Sequence, residues 1–389
     1  MLRSNIYLLS LSLLLCLHTQ ASPLDNLHGF AQQTLLASDN NDFIGNSDDN
    51  IISDIRDIGL NYRHSFTPEI SFSGQAVSHQ AGAQTNNQVE LDYGFIEYIP
   101  LHSDTLRTAL RLGRVIQNYG LFNEVRDVAH LRSSIFVPYS IYYDRLRKTV
   151  FAEDGASFRL DMIGNNVWSA EAGIAKPRSD KNEIQAFLPS HLMSGSAEGK
   201  KAYFFRISHE QALDYRIALS GIYLSWDFTG NFAIPLPPGQ QPIDGSFSAS
   251  SIGLSLEKYL GDFTLISEIF RPQVEYLDLI PTFDNLGQVS GTQDIHSQQI
   301  AGYLHVDYTC SMTITCFTQY EHFKIISKQP GLTNTTTRDM ALGIQMLLPY
   351  NMQLKFEIHQ VHGSAWLGLD QALQHNEWHY AASQINWKF

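Results

Sequence analysis

Several stretches of the chain alternate apolar and polar residues with a period of two, the spacing that sends successive side chains to opposite faces of a β-strand. The clearest runs over 351–359. Met352, Leu354, Phe356 and Ile358 share one face, and Gln353, Lys355, Glu357 and His359 share the other. Just upstream, Met340, Leu342, Ile344, Met346 and Leu348 alternate with Asp339, Ala341, Gly343 and Gln345, and Pro349-Tyr350-Asn351 makes the turn between the two. The same period recurs where Phe158, Leu160 and Met162 flank Arg159 and Asp161, where Tyr203, Phe205 and Ile207 flank Arg206, and where Leu304, Val306 and Tyr308 flank His305 and Asp307. Period alone does not say which face is wet.

The connections add direction. Short turns are predicted near Phe66-Thr67-Pro68, His102-Ser103-Asp104, Gly164-Asn165, Gln211-Ala212, Leu260-Gly261, Cys310 to Cys316 and Pro349-Tyr350. Longer polar loops fall between them, near 37–50, 81–88, 116–154, 177–199, 229–245, 278–295, 329–336 and 363–375. Short turns alternating with long loops are the pattern of a transmembrane antiparallel β-barrel, with the turns on the periplasmic side. A final strand at about 377–389 must end on that side. Counting back from it, a first strand is needed at about 26–36, which gives about 16 strands, an even number. A barrel of that size encloses an aqueous lumen.

Composition neither demands nor opposes this. The chain is 43% hydrophobic and 17% charged, with mean hydropathy -0.17. A barrel wall needs apolar residues only at every second position, so its average hydropathy is ordinary. Twenty-six basic residues face 39 acidic ones, which argues against a nucleic-acid partner. The N-terminus carries Arg3, an apolar run from Ile6 to Leu17, and small residues around Thr19-Gln20-Ala21. These are the parts of a secretory signal peptide over 1–21, leaving one domain over 22–389.

Two local features stand out. The chain ends with Ile385, Trp387 and Phe389 alternating with Gln384, Asn386 and Lys388, and a terminal aromatic on an amphipathic last strand resembles the signal read by the outer-membrane barrel assembly machinery. The segment 111–148 reads RLGRVIQNYGLFNEVRDVAHLRSSIFVPYSIYYDRLRK. Its Gly113-Arg114, its run Tyr119 to Asp127 and its Ser134-Ile135-Phe136-Val137-Pro138 resemble the long-loop region of a porin-like family of proteobacterial outer-membrane proteins, as do Ile58-Gly59-Leu60-Asn61-Tyr62 and Asp92-Tyr93-Gly94 upstream. The resemblance covers roughly 28–150, and the rest of the chain only in architecture. It implies a barrel more firmly than a substrate, and by analogy a trimer.

From Arg114 to Lys148 this segment holds six basic side chains (Arg114, Arg126, Arg132, Arg145, Arg147 and Lys148) against Glu124, Asp127 and Asp144, in a protein of net charge -13. A loop this long is functional or disordered, and its Tyr, Phe, Ile and Val content argues for order. Bent into the lumen, it would place Arg114, Arg126, Asp127, Arg132, Arg145 and Arg147 at a constriction that sorts ions. Left outside, its arginines would meet lipopolysaccharide phosphates or nearby acids.

Cys310 and Cys316 can pair only if the chain between them turns back, since a straight strand would hold them about 20 Å apart. The alternative is two free thiols on adjacent strands. The histidines, including the pairs His359/His362 and His375/His379, fall on strands or loops without a cysteine or carboxylate cluster, so no metal site and no cofactor is expected. No GxSxG, HExxH, P-loop or EF-hand pattern occurs. The expectation is an outer-membrane pore for small polar or charged solutes, in contact with lipid and lipopolysaccharide. A barrel enzyme acting on lipid and a soluble secreted all-β binding protein are the alternatives.

Overall fold

The computed structural model describes residues 26–82, 88–143, 146–179, 193–232, 242–283, 289–326, 336–365, 367 and 375–389. The predicted signal peptide and Arg145 lie outside them. The strands are β1 (Leu27–Ser38), β2 (Ile52–Ser65), β3 (Ile70–Ala81), β4 (Val89–His102), β5 (Leu106–Ile116), β6 (Ala152–Ile163), β7 (Val167–Lys176) and β8 (Met193–Gln211). They continue with β9 (Tyr215–Phe232), β10 (Pro242–Leu260), β11 (Phe263–Phe283), β12 (Val289–Ser311), β13 (Ile314–Ile325), β14 (Thr336–Leu348), β15 (Met352–His362) and β16 (Glu377–Lys388). Each pairs antiparallel with its neighbours in sequence, and β1 pairs with β16 from Phe30↔Lys388 to Ser38↔Tyr380, closing a 16-stranded barrel. Closure leaves the wall without an edge, so backbone N–H and C=O groups are satisfied between strands, as a lipid environment requires.

The burial of the alternating faces settles which one is wet. On β15, Phe356 and Ile358 are 42% and 60% exposed, whereas Lys355, Glu357 and His359 are 0%, 3% and 6% exposed. Apolar side chains point out and charged ones point in, the reverse of a soluble sheet protein. The outer wall carries Ile96, Leu110, Leu112, Ile174, Ile269 and Leu342, all more than 45% exposed.

All seven predicted short turns join consecutive strands at one end of the barrel. The loops at the other end depart from expectation in three places. β8 to β12 are 18–23 residues long, about twice what a tilted strand needs to cross a membrane. The predicted loops 177–199, 229–245 and 278–295 are therefore partly strand. Their Gly- and Ser-rich sequences have weak strand propensity, but pairing with a regular neighbour overrides it. Outward-facing charges mark where the apolar belt stops on this side, with Lys176–Glu198 at 3.0 Å, Lys200–Asp227 at 2.8 Å and His296–Glu275 at 3.4 Å. The inner face of the taller wall is apolar. Ile222, Leu224, Trp226 and Phe228 line β9, and Trp226 stacks on Phe247 of β10 with centroids 5.0 Å apart.

Candidate functional site: the loop inside the barrel

The chain between β5 and β6 folds into the lumen. Its described residues include two short 3-10 turns, Asn123–Val125 and Ala129–Leu131, and one helical turn, α1 (Arg147–Phe151). Asn123 clasps its base, the side-chain amide donating to the carbonyls of Gln117 (2.7 Å) and Val150 (3.0 Å). Gly120 has φ +64°, and a Cβ there would lie 2.1 Å from the Tyr142 hydroxyl, so only glycine fits. At its far tip His130 Nε2 meets the carbonyl oxygen of Asn351 at 3.0 Å, in the short turn between β14 and β15. The loop therefore runs the depth of the barrel.

One wall of the lumen is built to hold it. Glu268 on β11 accepts the Leu121 N–H (2.9 Å) and the Tyr142 hydroxyl (2.5 Å), Glu321 on β13 accepts the Ser140 N–H (2.7 Å), and Glu357 on β15 accepts the Ile135 N–H (2.7 Å). Lys355 answers them with the opposite sign. Its fully buried ammonium donates to the carbonyls of Ala129, Arg132 and Ser134 at 2.6, 2.8 and 3.0 Å. Each of these four buried charges thus meets backbone dipoles of the loop. Burial and the Glu268 charge push the Tyr142 hydroxyl well above its ordinary pKa, so it remains a donor. Phe43, Ile135, Tyr139, Trp378 and Tyr380 add an apolar contact on the same side.

The sequence-predicted constriction residues take other places. Arg147 is buried between two carboxylates, 2.7 Å from Asp92 on β4 and 2.6 Å from Asp127. Burial alone would raise the Asp127 pKa, but the Arg147 guanidinium and hydrogen bonds outweigh it and hold the carboxyl well below its usual range. Arg132 is half-buried and donates to the carbonyls of Arg126 (2.6 Å) and Ile135 (2.9 Å), while Arg126 is buried and donates to the Tyr142 carbonyl (3.4 Å). Burial pulls the Arg132 pKa down to about 10, so it stays charged at neutral pH. Arg114 points outside the barrel. The alternation that puts Arg107 and Arg111 against inward Glu97 and leaves Leu110 and Leu112 exposed carries Arg114 outward, where it pairs with Asp154 at 2.8 Å. Of these six residues, the described ones are committed to holding the loop or decorating the rim.

A second set of lumen charges stands on β2 and β4 to β10. Arg107 and Arg111 of β5 bond Glu97 (3.1 and 2.9 Å), Arg159 of β6 bonds Asp161 (2.9 Å), and Arg216 of β9 bonds Glu257 (2.8 Å). Arg63 of β2 has a side chain 61% exposed. Arg206 of β8 differs from these. Among the described residues its guanidinium has no hydrogen-bond or ion-pair partner, and its Nε is buried and unsatisfied. It lies within electrostatic reach of Glu124, the exposed acid of the Asn123–Val125 turn. Strand parity could have found these arginines, since each occupies the polar face of an alternating run. The loop sequence drew the eye because its positive charge is contiguous.

Between loop and wall, a cavity of about 200 Å³ is lined by Phe122, Arg132, Ser133, Glu257 and His305. Among the described residues no group of three or more His, Cys, Asp or Glu is placed to hold a metal ion. At the turn end, Cys310 and Cys316 flank Met312-Thr313, their sulfurs together and Cα atoms 6.3 Å apart. At the closing seam, Gly29 and Phe389 exchange backbone hydrogen bonds of 2.9 and 3.0 Å. The Phe389 ring fills the space a Cβ at Gly29 would need, and Trp387 packs on it at 4.8 Å.

No protein-family model and no curated protein matches the sequence. Solved structures match over almost the whole chain. OmpT of Vibrio cholerae, expressed in the outer membrane, aligns over 93% of this chain and 97% of its own with a TM-score of 0.58. The outer membrane channel DcaP of Acinetobacter baumannii aligns over 93% and 96% with a TM-score of 0.56. A trimer form of the Vibrio protein gives 0.55 over 93% and 98%. The fold is that of an outer-membrane barrel channel. Identity is 10% in each case, so the likeness lies in architecture, and the residues of the lumen have to be read from this chain.

Proposed function

We propose that the protein is an outer-membrane porin, a passive diffusion channel for small polar or charged solutes, delivered after removal of a signal peptide over 1–21 and not an enzyme. The observation that carries this reading is the division of the lumen. The loop is bound to β11–β15 through Glu268, Glu321, Glu357 and Lys355, and β5 to β10 carry ion-paired arginines and, among the described residues, one guanidinium without a partner. Solutes pass between Glu124 and Arg206. A charge at a narrow, low-dielectric site sorts ions, and the uncompensated Arg206 gives a weak preference for anions. The neighbours' fold supports the outer-membrane setting, and the trimer form of the Vibrio protein supports a homotrimer here. Lipid, lipopolysaccharide and the barrel assembly machinery are the partners that setting supplies.

The test is conductance in a planar bilayer. Stepwise ion currents are expected, with Arg206→Gln moving the reversal potential toward cations and Glu124→Gln moving it toward anions. A folded barrel that conducts nothing overturns the reading. The rival hydrolase reading draws on Ser133, whose hydroxyl lies 2.9 Å from His305 Nε2, with Gln319 on His305 Nδ1 at 2.8 Å. Asp307 lies 3.1 Å from that same Nε2. A serine hydrolase needs its acid on the other ring nitrogen, leaving Nε2 free to take the hydroxyl proton. The geometry therefore favours a structural hydrogen-bond chain.

A further inference from the structure

The outer wall carries a depression that the channel reading does not use. It is a groove of about 350 Å³ running over β8 to β11. Phe205, Gly221, Ile252 and Arg271 stand side by side in one register row across these four strands, and Tyr203, Tyr223, Ser250 and Gln273 form the row beside it. Both rows face outward, because their sequence neighbours Phe204, Ile222 and Phe270 are buried inside. The small Ser250 leaves the hollow beside the Phe205 ring, which lies over Gly221, and the rings of Tyr203 and Tyr223, with centroids 6.1 Å apart, form one side.

Arg271 is out of place on such a surface. It is exposed, and among the described residues its guanidinium has no hydrogen-bond or ion-pair partner. The neighbouring outward charges Lys176, Lys200 and His296 each have an acid. Its depth is set by the strand. Phe263, at the turn end of β11 and packed on Tyr308 at 4.8 Å, marks the lower aromatic level. Arg271 is eight positions further along, about 26 Å of strand, or about 20 Å of height at a tilt near 40°. An apolar band about 25 Å tall puts that level just below the head groups of the external leaflet. A partnerless arginine at this height, beside an apolar hollow with two tyrosines, has the form of a site for an acyl chain ending in a phosphate.

We infer that the β8–β11 groove binds one lipopolysaccharide molecule through its lipid A, an acyl chain lying over Ser250 and against the Phe205 ring and a glucosamine phosphate on Arg271. The external leaflet supplies this phosphoglycolipid where a glycerophospholipid would occupy the other leaflet. The inference rests on the outer-membrane placement proposed above and not on conduction.

The test is native mass spectrometry of the delipidated full-length barrel in detergent, titrated with bisphosphorylated lipid A, with chemically dephosphorylated lipid A, and with phosphatidylglycerol. One tightly retained bisphosphorylated lipid A per barrel is expected. Dephosphorylation, or Arg271→Gln, lowers retention about five- to tenfold, the effect of one interfacial charge. Ser250→Leu, which fills the hollow and keeps the arginine, lowers it for both forms of lipid A. Equal retention of the two lipid A forms, or no loss in either variant, overturns the site. Stronger retention of phosphatidylglycerol overturns the choice of ligand. Because binding is read in detergent without current, failure here is distinct from failure to conduct.

Discussion

Replacing Lys355 by methionine should release the loop without loosening the barrel. The ammonium is fully buried on β15 and is shared by three loop carbonyls at 2.6–3.0 Å. Methionine keeps the length of the side chain but donates nothing. Each carbonyl left buried without a donor costs about 1–3 kcal/mol. Against this, the folded state is spared the desolvation of a buried ammonium, itself several kcal/mol. The difference disfavours the docked loop by about 2–3 kcal/mol, which raises the released fraction about 30- to 150-fold. Trypsin reads that fraction, since Arg126 is buried and Arg132 is held by loop carbonyls when the loop is docked and cleavage of a transiently opened segment follows its population. The loop of the variant should be cut at those arginines faster by that factor, with bursts of larger conductance in bilayers and an unchanged melting temperature. Cleavage within threefold of the wild type, with identical current steps, would refute the idea that Lys355 anchors the loop.

Arg147→Met should act in the same direction and more strongly, because it strands two buried carboxylates, Asp92 and Asp127. A penalty of about 3–5 kcal/mol is expected, read again by proteolysis, with Arg147→Lys rescuing only in part because a single ammonium lacks the guanidinium fork. Arg126→Gln and Arg132→Gln should alter protease sensitivity far more than reversal potential, since both guanidiniums are bonded to loop carbonyls; a large shift in ion preference with an intact loop would contradict this. Cys310 and Cys316 should resist thiol reagents under denaturing, non-reducing conditions, the six-residue separation placing the stabilisation at the low end, on the order of 2 kcal/mol; two labelled cysteines per mature chain would exclude the bond. Removing Phe389 should slow insertion while leaving the finished barrel stable, and normal outer-membrane levels of the truncated chain at high expression would count decisively against an assembly role.

Much of the wall was legible in the sequence because it is a local code. Alternation at Met352–His359 depends only on residue i and residue i+2, and turns such as Pro349-Tyr350-Asn351 are written in a few consecutive residues. Strand ends on β8–β12 were less legible, because Gly-rich stretches such as Ser194-Gly195-Ser196 become strand only through pairing with Thr229-Gly230-Asn231. The loop's interior was illegible for a different reason. The charge run 114–148 looks like a pore-lining patch until Asp92, from a strand far upstream, is found beside Arg147. Glu268, Glu321 and Glu357 are single acids on three separate strands, and nothing short of the folded barrel shows that each receives a loop N–H.

The seam between β1 and β16 has a consequence for how the molecule comes into being. Residue 29 is hydrogen-bonded to residue 389, so the ladder that closes the wall joins β1 to β16, the two strands furthest apart in sequence. Until β16 is available, β1 is paired on one side only, and a cylinder begun earlier has an open flank able to recruit stray strands. Pairings of such long sequence separation form slowly. The strands already formed must therefore be shielded until β16 arrives, and the pairing of Phe389 with Gly29 lies at the point where closure completes.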